Sequence, residues 1–232
     1  DLSTVLVGNG GANPSAWYVS APRMEPVRSD GFVGAVAEGG AVNFRNVMFN
    51  PHGHGTHTEC LGHITSVIHP VDPLFRNATA HFVCLATTVS PQARGEDLII
   101  DANHLESMPD GTWPPALVIR TLPNGADKRT RSWSNTNPPY FTVDFMKLLV
   151  EKGVEHLLVD LPSVDREVDG GHLEAHRAFW GVPESPRHQC SITELIYMPS
   201  SAPDGMYVLH LAVAPMQNDA ATSRPVLYPL VR

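Results

Sequence analysis

The densest chemistry in the chain lies in residues 50–64, NPHGHGTHTECLGHI. Four of the 12 histidines, His52, His54, His57 and His63, fall here, far more than an even spread would place. Gly53, Gly55 and Thr56 argue against a helix, so this is not a helical HExxH protease site. If 57–59 runs extended, side-chain alternation puts His57 and Glu59 on one face. An imidazole and a carboxylate on one face, with a further histidine two to five residues upstream, offer nitrogen and oxygen ligands to a divalent metal. The glycines let the backbone turn and gather those side chains. His63 is close enough to act on whatever the metal binds. The competing reading is a polar loop with surface histidines. Cys60 is a candidate nucleophile, but no separate base is indicated for it, and a structural role is expected.

Those residues need a scaffold, and the pattern around them reads as strands. Residues 41–49, 81–89, 116–122, 154–160, 191–198 and 206–214 are rich in β-branched and aromatic residues. Helices are fewer. Thr142 is a plausible N-cap for 143–152, with Val143, Met146, Leu149 and Val150 at helical spacing and Gly153 at the expected stop. A second helix is expected over 173–180, ended by Gly181 and Pro183. The 123–139 stretch reads as a long loop. No repeat or linker divides the chain. The expectation is a single α/β domain over 1–232, with more strand than helix and a mixed sheet.

Composition narrows the function. The net charge of −8 gives no basic surface for nucleic acid. No run approaches the roughly 18 apolar residues of a membrane span. Three cysteines, Cys60, Cys84 and Cys190, are too few for a disulfide framework, and a cytoplasmic address is expected. The chain opens on Asp1 rather than Met, so its first residues are expected to be missing, and the lack of a signal peptide carries little weight.

The run His-Gly-Thr-His-Thr-Glu at 54–59, followed by His63, resembles the signature of the cyclase family of metal-dependent hydrolases. That family includes bacterial kynurenine formamidase and isatin hydrolase. The usual form is His-x-Gly-Thr-His-x-Asp-x-x-x-His. Three further segments resemble the family in the right order. Residues 159–165 (VDLPSVD) are similar to its Asp-x-Pro-Ser-Val-Asp segment, 173–180 (LEAHRAFW) to its Ala-His-His helix, and 191–195 (SITEL) to its Leu-Glu-Gly. The resemblance implies a swivelling β/β/α fold and a site for one or two divalent metals, zinc or sometimes manganese. It implies that His57 and Glu59 are ligands, with the carboxylate bridging, that His176 and Glu194 are the distant ligands, and that His63 is the general acid/base. A homo-oligomer, dimer or tetramer, is expected.

Two departures stand out. Glu59 replaces the usual Asp, and Gly53 sits where the first histidine belongs. His52 is favoured as the replacement ligand, with His54 as the alternative. The 181–189 stretch reads as an insertion. Asp160 and Asp165 are expected to orient the turn around Pro162 rather than bind metal. Without the resemblance, His176 reads more readily as a core histidine. Glu194 in an apolar strand needs a metal or a salt-bridge partner, because an unpaired buried carboxylate costs several kcal/mol.

The chemistry implied is hydrolysis of a small-molecule amide, an aryl formamide or a cyclic amide. A metal lowers the pKa of bound water to about 7 and makes hydroxide available, and His63 carries the proton to the departing nitrogen. Trp17, Tyr18 and Phe44 are candidate aromatic substrate contacts, or core. Arg120 and Trp133 are candidate contacts at the long loop. The alternatives are a family member without catalysis that serves as a binding or scaffold protein, and, more distantly, a cysteine hydrolase using Cys60 and His63.

Overall fold

The computed structural model describes residues 1–76, 80–108 and 110–230. The N-terminal part carries short strands β1 (Arg23–Pro26), β2 (Arg28–Ser29), β3 (Phe32–Val33) and β4 (Arg45–Met48). Then come β5 (His57–Cys60), α1 (Asp72–Arg76), β6 (His81–Val89), β7 (Gln92–Arg94), β8 (Asp97–Ile100) and β9 (Ala116–Thr121). The chain continues through β10 (Tyr140–Phe141), α2 (Val143–Glu151), β11 (His156–Val159), α3 (Glu174–Trp180), β12 (Ser191–Glu194), β13 (Gly205–Val213) and β14 (Ala220–Pro229).

Seven of these strands close into a barrel in the order β11-β12-β5-β14-β13-β6-β9. The sheet is mixed: β9 runs parallel to β6 and β11, and β11 parallel to β12, while β5 is antiparallel to both β12 and β14. The α/β, strand-rich expectation is met. The mixed sheet closes on itself, which leaves no edge on the main sheet.

Period-two alternation divides the core. Leu117, Ile119, Leu157, Val159 and Ile192 face outward and pack with Phe145, Met146 and Leu149 of α2 and Phe179 and Trp180 of α3. Ala116, Val118, Leu158, Leu209 and Leu211 face inward and pack together. The β5–β12 register aligns His57 with Glu194 and Glu59 with Ile192. Because Ile192 belongs to the outward set, His57, Glu59 and Glu194 also face outward, towards α3. On the inward face, Thr58 and Thr193 join their hydroxyls at 2.7 Å.

The expected strands and both helices are present within a few residues. The exception in character is 41–49. Only Arg45–Met48 is strand, it pairs with β1 alone, and all four residues are exposed. The 123–139 loop contains a single 3₁₀ turn, Ala126–Arg129. Among the described residues no helix is long and apolar enough to cross a membrane.

Candidate metal centre

Glu59 lies at the middle of the site. Its Oε2 is 3.0 Å from Nδ1 of His52 and 3.9 Å from Nε2 of His63, and its Oε1 is 3.0 Å from Nε2 of His176. Glu194 closes the other side, with Oε2 3.4 Å from Nε2 of His57 and Oε1 3.8 Å from Nε2 of His176. Among the described residues, Glu194 meets no arginine. The Val164 amide donates to its Oε1 at 3.1 Å. His57, Glu59, His176 and Glu194 are buried, while His63 is about one-third exposed.

The local backbone explains the convergence. Gly55, at φ 130°, turns the chain into β5, a conformation that other residues rarely adopt. The Gly55 carbonyl can only accept, so Nδ1 of His57, 3.0 Å away, must donate to it. That leaves the lone pair of His57 on Nε2, the atom facing Glu194. His176 is set from α3 in the same way. Asp165 accepts from the Ala175 and His176 amides, and Nδ1 of His176 donates to it at 2.6 Å. Asp165 therefore does more than orient the turn around Pro162: it aims a ring nitrogen at Glu59.

Between the two upstream histidines the geometry separates the roles. His52 reaches Glu59, whereas the buried His54 turns away and accepts from the Asn50 amide at 2.8 Å. Gly53 cannot hold a side chain as the backbone stands. A Cβ there would meet Cγ2 of Val19 at 2.4 Å and the Ala16 carbonyl at 3.3 Å.

The electrostatics are those of crowded, compensating charge. Burial opposes ionisation of Glu59, but His63, His176 and His52 outweigh it and hold the carboxyl well below the usual range. Burial likewise opposes charge on His52, yet Asp219 and Glu59 raise it to about 10. His176 is raised well above its ordinary value by Asp165 and Glu59 against the same burial. The donor set suits a divalent cation. His52, His57 and Glu59 bring ligand atoms within 4.8 Å of one another, and so do Glu59, His63 and His176. Among the described residues, the buried Nε2 of His57 and Oε2 of Glu59 make no well-directed hydrogen bond, although Glu194 lies 3.4 Å from the first and Nδ1 of His52 3.0 Å from the second. A nitrogen lone pair and a carboxylate oxygen that crowd their neighbours without bonding them are what a metal would satisfy.

The site opens into a cavity of about 390 Å³, lined by Trp17, Asn50 and Leu173 together with His52, His63 and His176. Of the candidate substrate contacts, Trp17 lines this cavity, and Tyr18 is exposed beside it, donating to Glu167. The other three do not reach it. Phe44 is 57% exposed and packs edge-on against Phe32. Arg120 is spent on Thr88, the Pro199 and Ala202 carbonyls and Asp204. Trp133 is buried in the outer core beneath Arg131. Cys60 is buried and donates to the His69 carbonyl, and burial pushes its thiol up to about 11. A thiolate nucleophile is disfavoured there.

Sequence reasoning missed Asp219. Its Oδ2 lies 2.9 Å from Nε2 of His52 and 3.3 Å from Nδ1 of His63. No local motif marks it, because it meets the histidines only across the β5–β14 pairing.

Residues 1–166 match the family model described as "Putative cyclase". Several solved structures share the fold, three of them as follows. One is described as a "Potential Metal-Dependent Hydrolase With Cyclase Activity": 14% identity, TM-score 0.68, covering 98% of this chain and 95% of that one. Another is a "predicted metal-dependent hydrolase from Bacillus stearothermophilus": 14% identity, TM-score 0.65, covering 98% and 96%. The third is an isatin hydrolase bound to the product analogue thioisatinate: 15% identity, TM-score 0.63, covering 99% and 92%. No curated protein matches the chain in sequence.

Proposed function

The chain belongs to the cyclase family, and on that premise we propose that it is a metal-dependent hydrolase acting on a small amide, an aryl formamide or a cyclic amide. The observation that carries this reading is the convergence of His52, His57, His176 and Glu194 around Glu59, with Nε2 of His57 and Oε2 of Glu59 making no well-directed hydrogen bond. His52, His57 and Glu59 would hold one cation, and Glu59, His176 and Glu194 a second, zinc or manganese. A divalent metal there supplies Lewis acidity and makes a hydroxide nucleophile accessible near neutral pH.

The rest is work for the side chains. His63 stands at the cavity wall, about one-third exposed and 3.9 Å from Glu59 through Nε2. That nitrogen takes a proton from the attacking water and returns it to the departing nitrogen. Trp17 and Leu173 give the cavity an apolar wall against which an aryl ring can lie, and about 390 Å³ falls within the range of small-molecule sites. Glu59 is one methylene longer than the family's Asp, and it still reaches histidines on both sides.

Self-association and a cytoplasmic address belong to the same reading. The β1–β4 ribbon exposes Phe44, Val47 and Met48, and a two-stranded ribbon is marginal alone. A second copy of the chain would cover it, and light scattering on the purified protein measures the assembly.

The test of function is elemental analysis of the purified protein together with hydrolysis of isatin and of a neutral aryl formamide, with and without a chelator. Stoichiometric metal with chelator-sensitive turnover is expected. Bound metal without hydrolysis of either substrate would favour a binding protein, and no metal at all would remove the reading.

A further inference from the structure

Asp219 uses one carboxylate oxygen for two imidazoles. Oδ2 meets Nε2 of His52 at 2.9 Å and Nδ1 of His63 at 3.3 Å. The two rings stack, with centroids 4.3 Å apart and planes 28° from parallel. Their other nitrogens both face Oε2 of Glu59, His52 through Nδ1 at 3.0 Å and His63 through Nε2 at 3.9 Å. The backbone that carries this carboxylate is anchored. The Cys60 amide donates to the Asp219 carbonyl at 3.1 Å, and the next residue, Ala220, is the register partner of Glu59.

An imidazole ligates a metal or accepts a proton only through a nitrogen that carries a lone pair. A carboxylate accepts and does not donate, so each ring turns its single N–H towards Asp219. On the Glu59 side, where a cation would lie between ring and carboxylate, the other nitrogen keeps its lone pair. We propose that Asp219 is a positioning residue for both jobs of the site. It keeps Nδ1 of His52 as the ligand atom and Nε2 of His63 as the proton-accepting atom, both turned towards Glu59. Asp165 does this for His176 alone. Asp219 ties a ligand histidine to the proton-carrying one, so metal retention and proton transfer share one support. Outer carboxylates of this kind typically contribute 10–100-fold to metal affinity or activity.

This inference rests on the metal-dependent hydrolase reading, and the test separates the two. Asp219→Asn keeps the shape, but its amide can donate as well as accept and no longer selects the tautomer. Zinc affinity is measured by competition with a chromophoric chelator, and kcat and KM at saturating zinc. The ring-proton pattern of His63 is read by ¹⁵N–¹H spectra of the zinc-loaded protein. The expected result is zinc binding about 10–100-fold weaker, kcat about 10–100-fold lower with KM nearly constant, and loss of the single Nδ1–H form of His63. Asp219→Glu should restore part of both losses. The metal-free thermal midpoint should stay near that of the parent.

An Asp219→Asn protein with parental zinc affinity, kcat and His63 spectrum overturns the proposal while leaving the hydrolase reading intact. A loss confined to thermal stability or to KM overturns it too. A parent protein that binds neither zinc nor manganese brings down the hydrolase reading and this role together.

Discussion

Nε2 of His57 lies 3.4 Å from Oε2 of Glu194, and the two residues are direct cross-strand partners in the antiparallel β5–β12 pair. The register is what delivers a carboxylate from the C-terminal half of the chain to the histidine motif. A one-residue slip would turn either side chain into the barrel. The same register sets Glu59 opposite Ile192, so its cross-strand neighbour is apolar rather than a competing charge.

His57 and His63 should separate cleanly by substitution. His57→Ala removes a proposed ligand and should lose metal, along with the thermal stabilisation that metal gives the parent. His63→Ala should retain metal and lose turnover by about 10²–10⁴-fold, the usual size of general acid/base contributions. Metal content and amide hydrolysis measured on both proteins decide it. A metal-free His63→Ala protein would make His63 a ligand instead.

Restoring the family's histidine at position 53 should not improve the site. Any Cβ at Gly53 collides with Val19 at 2.4 Å, so Gly53→His should destabilise by about 1–3 kcal/mol, as overpacking does. Urea denaturation gives the stability and chelator competition the affinity. Tighter metal binding in this variant would show that His52 is not the replacement ligand.

His156 should steepen acid unfolding. Burial, helped by the Arg187 charge, lowers it from 6.5 to about 4, and its Nδ1 lies 2.9 Å from the Ser191 hydroxyl. The unfolded chain takes up this proton below about pH 6.5 while the folded chain resists until about 4. The stability is therefore fully present above 6.5 and lost as pH falls through that window, by about 3 kcal/mol. Thermal midpoints from pH 7 to pH 4 should fall less in His156→Gln than in the parent. Parallel curves would discount the histidine.

Lys128 and Asp160 form a buried pair at 2.8 Å, with Lys128 also donating to the Thr121 carbonyl and hydroxyl. Burial pushes the Asp160 carboxyl up, while Lys128 and Thr121 work against that rise. Lys128→Met leaves this carboxylate buried without its cation and should cost roughly 3–5 kcal/mol. Chemical denaturation measures it, and Lys128→Met with Asp160→Asn should recover part of the loss.

Local sequence already determined much of this protein. Alternation along 57–59 put His57 and Glu59 on one face, and Thr142 and Gly153 bracketed α2, because both patterns depend only on near neighbours. The motif resemblance pointed to His176 and Glu194 before any contact between them was known. Tertiary structure decided the rest. Spacing alone did not separate His52 from His54; the folded backbone brings His52 to Glu59 and turns His54 onto the Asn50 amide. Arg120 is taken out of the cavity by carbonyls at 199 and 202 and by Asp204, and Phe44 is carried off on a separate ribbon. Asp219 became part of the site only when β14 paired with β5 and the barrel closed. Spacing along the chain encodes what a strand or helix presents on one face. It does not encode which distant carboxylate the closing sheet lays beside that face.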